Sequence, residues 1–372
     1  MDSYIKNICR LSADSGPLPN STNKSINIKQ LYQQIQYHQI SALAYHYKDQ
    51  LQSIYPQVDS DFYELCKKDQ IKNVRREMVF ENQILQLAEI SEKYNLDFFL
   101  IKGLSLSTKL YSPSYLRTYN DIDILIDKTD FHTWRNILVK KDFKEEQNLY
   151  SSFTEEKIKK YDFSLHYTKN GSNLIALDLH LGLSNYLHPF SFPKGEYLKD
   201  PDFYKDTIPT LNKEHLVPYL LFHIFKHNYF KIIWLIDLYL LVDNFEIDFK
   251  KVETLLQKNN SKKLWSLFLD ISKDLFGRKP RLTARYRIKG SNSNYINTDL
   301  IIQGSPPHAQ KINRMILPLY YLDGPEQIFN FLFKQLFPPI DLVLSKENST
   351  NFFINYIIYL GLRIKKFIKL FF

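Results

Sequence analysis

IKGLSLSTKLYSPSYLRTYNDIDILID, residues 101–127, runs twenty residues without an acid and then sets three carboxylates in its last seven positions. Asp121 and Asp123 enclose a single isoleucine in DIDILID, whose apolar residues alternate with period two as in a half-buried β-strand. Alternate side chains of a strand share a face, so the two aspartates point one way while Ile122, Ile124 and Ile126 point into a core. Carboxylates held side by side repel, which raises one pKa unless a cation sits between them. A divalent metal resolves that conflict. Magnesium prefers oxygen ligands, keeps several waters and is commonly held by one or two carboxylates together with substrate phosphates. The strand therefore supplies half of a metal site, and a triphosphate would supply the rest.

Upstream, DFFLIKG is a short apolar run ending in glycine, and LSLSTKLY after it has the pattern of a helix turn or two. A glycine at that junction lets a phosphate approach the backbone, and the amides opening the following helix favour an anion. Lys102 and Ser105 flank Gly103 as candidate direct contacts. A glycine after a strand is by itself commonly a turn; what gives Gly103 meaning is the Asp-x-Asp strand that follows it.

Outward from this stretch, residues 27–95 carry apolar positions at helical spacing, with Pro56 their only proline, and predict a helical N-terminal segment. TDFHTWRNILVKKDF predicts a helix capped by Thr129 or Asp130, with Lys140 and Lys141 in its last turn, and Asp127 reads as a turn residue. FSLHYTKNGSNLIALDLHLG predicts two strands joined at Asn170-Gly171 by a type I′ turn, hence antiparallel neighbours in a mixed sheet. Residues 185–211 read as a loop rich in aromatics and prolines. Asn212 then caps KEHLVPYLLFHIFKHNY, the first of four apolar segments that make an all-helical second half. Expected boundaries are a helical segment 1–95, an α/β core 96–184, a helical domain 185–277 covering the cleft, a linker or mobile loop 278–309, and C-terminal helices 310–372. No internal repeat is visible.

With 372 residues, 44% hydrophobic and 15% aromatic, the chain has ample core and is not a disordered protein. No apolar run is long enough to span a bilayer, and MDSYIKNICRLSAD lacks the apolar core of a signal peptide, so a cytoplasmic location is expected. Cys9 and Cys66 read as reduced thiols. The net charge of +9 favours polyanions, whether nucleotides, nucleic acid or an acidic membrane, without choosing among them. FFINYIIYLGLRIKKFIKLFF, residues 352–372, is basic and amphipathic; it suits a helix docked on the body of the protein, with peripheral contact to an anionic membrane as the competing reading.

Lys102-Gly103, Leu106, Tyr111, Arg117 and DIDILI together resemble the signature of the nucleotidyltransferase superfamily, the polymerase β-like fold, and in particular a bacterial branch of uncharacterised nucleotidyltransferases. The resemblance spans roughly residues 95–245 and includes HIFKH and WLIDL. In one departure, Leu104 separates Gly103 from Ser105 where the superfamily usually has Gly-Gly or Gly-Ser. The resemblance implies an α+β fold: a mixed-sheet core with a large helical complement. It implies transfer of a nucleoside monophosphate from NTP to an acceptor hydroxyl with release of pyrophosphate, with two magnesium ions bridged by Asp121 and Asp123. Asp178, in LIALDLHLG, would be the third ligand and the base, with His180 on its strand face lining the site.

Arg117 is left with two roles, binding phosphate or pairing with a carboxylate. Lys226 is a candidate triphosphate contact, while His223 and His227, four apart on one helix face, are candidate cleft-lining residues. Asp237 reads as a buried packing acid with a basic partner. The acceptor is open: a sugar, a small metabolite, a peptide product or a protein. Two rivals stand beside the enzyme, a catalytically silent nucleotide-binding or scaffolding protein of the same fold and a basic RNA or membrane-surface binder. Nucleic acid is the less favoured partner, since neither the basic stretch 278–290 nor the basic tail 352–372 contains the aromatic-plus-basic module of a known RNA fold.

Overall fold

Asn95 adopts a left-handed conformation (φ 50°) that stops a 35-residue helix and turns the chain into the first strand. The computed structural model describes residues 2–15, 18, 26–146, 153–170, 174–227, 231–281, 298–303, 322–343, 356–357 and 359–365. Five helices precede the sheet: α1 (Asp2–Ser12), α2 (Ile28–Tyr37), α3 (Ser41–His46), α4 (Lys48–Ile54) and α5 (Ser60–Tyr94). The apolar run becomes β1 (Phe98–Leu100), α6 (Leu104–Leu110) follows the glycine, and the alternating run becomes β2 (Ile122–Ile126), antiparallel to β1. Next come α7 (Phe131–Lys140), β3 (Lys144–Glu145), α8 (Glu155–Tyr161), β4 (Leu165–Lys169) and β5 (Ile175–His180). Asp127 accepts from the Thr129 amide and hydroxyl, both at 2.9 Å, and so shapes the turn into α7.

The sheet has seven strands in the order β3-β4-β5-β2-β1-β7-β6 and is mixed, with β2 parallel to β5 and antiparallel to β1. An α+β fold results. Two of these strands correct the sequence reading. Residues 185–211, expected to be a loop, contain α9 (Lys194–Tyr197) and the hairpin β6 (Asp202–Tyr204) and β7 (Ile208–Thr210), which extends the sheet beyond β1. Three-residue strands are too short to show a period, and Pro209 argues against one. The turn between them uses Lys205 and Asp206, both at positive φ.

The second correction concerns the β4–β5 connection. The strands are antiparallel as expected, but Lys169 pairs with Ile175, leaving five positions, 170 to 174, between the paired ends where a two-residue turn leaves two. Gly171 itself lies outside the described residues. The observed register sets His166 opposite Asp178, where a two-residue turn would have set it opposite Ile175.

The second half is helical as expected apart from that hairpin: α10 (Lys213–Lys226), α11 (Ile232–Asn244), α12 (Phe249–Lys258), α13 (Lys262–Phe276), α14 (Thr298–Gln303) and α15 (Pro325–Leu336), with a short turn of helix at Ile340–Val343. Asn212 caps α10 by accepting from the His215 amide at 3.0 Å. One face of the sheet, with Ile122, Ile124, Ile126, Leu177 and Leu179, packs on the C-terminal half of α5 and on α7. On the other face, Leu125 joins a second core that holds Tyr4, Leu31 and Leu43 from the N-terminal helices together with Ile236, Tyr239 and Phe268 from α11 and α13. The N-terminal helices and the second-half helices therefore share one core.

Of residues 278–309, only 278–281 and 298–303 are described, and the latter form α14, whose Ile302 carbonyl accepts from buried His38 at 2.7 Å. Most of the 352–372 tail lies outside the described residues. Cys9 and Cys66 are both buried and free. Among the described residues no helix is long and apolar enough to cross a membrane.

Candidate active site

Parallel pairing of β2 with β5 sets Asp123 opposite Asp178, and residues opposite one another in adjacent strands point to the same face. Asp123 is completely buried. Its Oδ1 is met by Lys102 Nζ at 2.9 Å and by His180 Nε2 at 3.0 Å. Its Oδ2 is equally buried and has no hydrogen-bond partner among the described residues. An unpaired buried carboxylate oxygen forfeits its hydration with nothing in return, on the order of 1–3 kcal/mol or more, and such groups in native proteins call for an explanation, an ion among them. Asp123, Asp178 and His180 each place a ligating atom within 4.8 Å of the others. Two carboxylates and an imidazole around an unpaired oxygen fit a divalent cation. Asp121 adjoins this group just before β2 and is partly buried.

Electrostatics follows the packing. Burial alone would raise the Asp123 carboxyl, but the charge of Lys102 and the bond from His180 hold it far below the usual carboxylate range. The neighbouring charge of Asp123, then burial, pushes the Asp121 carboxyl up, against the pull of Lys102. Asp178 Oδ1 lies 2.6 Å from His166 Nδ1, and that bond raises the imidazole above its ordinary value despite burial. His166 was not read from the sequence, since only the strand register brings it to Asp178.

Gly103 has φ +68°, and a Cβ there would lie 3.3 Å from the Asp121 carbonyl oxygen. The positive φ favours glycine, and a side chain there would push the Asp121 backbone by a few tenths of an ångström. The Ile101 amide also donates to the Asp123 carbonyl at 3.2 Å, so the end of β1 and the carboxylate strand move together. Gly103→Ala is expected to destabilise the protein by about 1–3 kcal/mol and to weaken cation binding by displacing Asp121; urea unfolding and calorimetry check the two effects.

Helices α10 and α11 cover the carboxylates, leaving a cleft of about 720 Å³ to which Tyr219, His223, Lys226 and His227 contribute. His223 packs against the rings of His227 and Trp234, at centroid distances of 4.7 and 4.9 Å. Burial, reinforced by Lys102, depresses the His223 pKa well below its usual value and keeps the ring neutral near pH 7. Lys231, preceding α11, lines the same cleft 5.4 Å from the Trp234 ring. Its ammonium is lowered by burial against the pull of Asp121. No sequence feature marked Lys231 or Tyr219, because a cleft wall built from distant helices leaves no local pattern.

Two candidate phosphate contacts sit differently. Ser105 lines a separate hollow with Thr108, Lys109 and Lys213. Arg117 borders the cleft, yet its Nε and Nη2 donate to the two oxygens of Asp237 at 2.9 and 2.7 Å, and the Tyr111 hydroxyl donates to the same carboxylate at 2.7 Å. Of its two roles, the carboxylate pairing is the one observed. Asp237 is thereby the buried acid with a basic partner, and the pair ties α11 to the loop that delivers Asp121.

Residues 24–277 match the model of a family described as uncharacterised nucleotidyltransferase. The chain belongs to this family. No curated protein matches the chain significantly. The matched span takes in β2 and β5 with their carboxylates and the covering helices α10 and α11. It also begins ahead of α2, so most of the N-terminal helical segment belongs to the family unit.

Proposed function

We propose that the protein transfers a nucleoside monophosphate from an NTP to an acceptor hydroxyl, with Asp121, Asp123 and Asp178 holding divalent cations. The observation that carries this reading is the unpaired Oδ2 of buried Asp123, at the floor of a cleft in a member of a nucleotidyltransferase family. A bound cation would polarise the phosphate and lower the pKa of the attacking hydroxyl. The acceptor oxygen forms its bond to the α-phosphorus, the bond from that phosphorus to the β-phosphate oxygen breaks, and pyrophosphate leaves with the electron pair. The hydroxyl proton passes to Asp178, which His166 orients. Lys102 keeps Asp123 ionised, and Gly103 leaves room for the phosphates against the backbone. Lys226 and Lys231 supply positive charge from the covering helices, and the Arg117–Asp237 pair holds the loop before Asp121 in place.

A sugar, a small metabolite, a peptide product or a protein side chain would each satisfy this chemistry as acceptor. Trp234, Tyr219 and His227 suit stacking on a ring. The test is incubation with each α-phosphate-labelled NTP, a divalent metal and cell extract. Label is expected to move onto an acceptor with the wild type and to stay on the nucleotide with Asp123→Asn. Binding of NTP with no transfer of label from any nucleotide would instead indicate a nucleotide-binding protein without turnover.

A further inference from the structure

Asp123 needs only one donor at Oδ1, yet it has two. Lys102 Nζ already meets that oxygen at 2.9 Å, and His180 Nε2 approaches it at 3.0 Å from the neighbouring strand. The imidazole can withdraw from this bond without leaving Oδ1 bare, because the ammonium remains. Oδ2 of the same fully buried side chain has no partner among the described residues. Independently of any histidine, that oxygen asks for a cation. The second imidazole of the cluster does a different job: His166 Nδ1 binds Asp178 Oδ1 from the far side, on β4, and orients that carboxylate.

From these positions we infer that His180 is itself a ligand of the cation held by Asp123 and Asp178, and that its nitrogen makes the site favour manganese over magnesium. This deepens the proposed function and rests on it. Magnesium takes oxygen ligands in a near-ideal octahedron and keeps its waters, whereas imidazole suits first-row transition ions and carboxylates suit manganese. In the bond to Asp123 Oδ1 the imidazole carries its proton on Nε2; once it withdraws and the proton sits on Nδ1 instead, the electron pair of Nε2 is free for the cation. The ligating atoms of Asp123, Asp178 and His180 already lie within 4.8 Å of one another, so small side-chain rotations close them on one ion. An all-carboxylate site would show no preference of this kind.

The test is pulsed electron paramagnetic resonance of Mn²⁺ on the full chain, together with Mn²⁺ and Mg²⁺ titrations. Wild type is expected to show modulation from a directly bound nitrogen, which changes when the protein is labelled with ¹⁵N-histidine; that arm needs no variant to fold. His180→Gln should lose the modulation and bind Mn²⁺ about tenfold or more weakly, with Mg²⁺ affinity changed far less. His166→Gln should keep the modulation. If Mn²⁺ binding depends on Asp123 but shows no nitrogen modulation, His180 is not a ligand and the inference falls while the proposed function stands. If Mn²⁺ binding is indifferent to Asp123→Asn, the inference and the cation site both fail.

Discussion

Asp123→Asn is expected to lower nucleotidyl transfer by about 10³-fold or more, roughly 4 kcal/mol of transition-state stabilisation at 1.36 kcal/mol per decade, and to leave the fold intact. Asparagine keeps the carbonyl that accepts from Lys102 and His180, so the packing at Oδ1 survives. It replaces the unpaired Oδ2 with an amide that cannot ligate a cation, and metal assistance to phosphoryl chemistry is worth several kcal/mol. Calorimetry with magnesium and NTP should show binding weakened at least in proportion to the lost cation, and circular dichroism should be unchanged. Equal metal and NTP binding by the variant would remove Asp123 from the site.

Asp237→Ala should produce the largest loss of stability of any single change discussed, about 3–5 kcal/mol, because it leaves the Arg117 charge buried without its partner. Two hydrogen bonds from the guanidinium and one from the Tyr111 hydroxyl all end on that carboxylate. Replacing both partners with apolar residues of similar volume, Arg117→Met with Asp237→Leu, should recover most of the loss, since no charge is then stranded. Urea unfolding of the single and double variants measures this directly. A single variant within about 0.5 kcal/mol of wild type, the ordinary range for surface changes, would show that the pair is not the tie between α11 and the carboxylate loop.

The parts of the site that were legible share one property: their geometry is local. The face shared by Asp121 and Asp123 follows from strand period, and Gly103 is recognisable as a strand-to-helix junction where a side chain is excluded. Asp178 was readable as a strand acid, and the alternation of LIALDLHLG put His180 on its side. His166 was not readable, because a shift of three in the hairpin register decides whether it meets Ile175 or Asp178. Arg117 had two roles in sequence because its partner comes from a helix packed across the chain, a choice made only by tertiary structure. Ser105 was suggested by its place just after the strand-to-helix glycine, yet here Leu104 opens the helix and the serine lines another hollow. The β6–β7 hairpin escaped because pairing along a sheet edge, rather than residue pattern, makes strands so short.

In the proposed function a cation sits on Asp123 and Asp178 beneath the covering helices and meets a triphosphate there. The most direct measurement is a crystal grown with Mn²⁺ and a non-hydrolysable NTP analogue, with anomalous diffraction data collected to locate the metal. An anomalous peak is expected in contact with Asp123 Oδ2 and Asp178, with the triphosphate running from Gly103 toward Lys231. A triphosphate bound elsewhere, or a nucleotide in the cleft with no metal at Asp123, would contradict it.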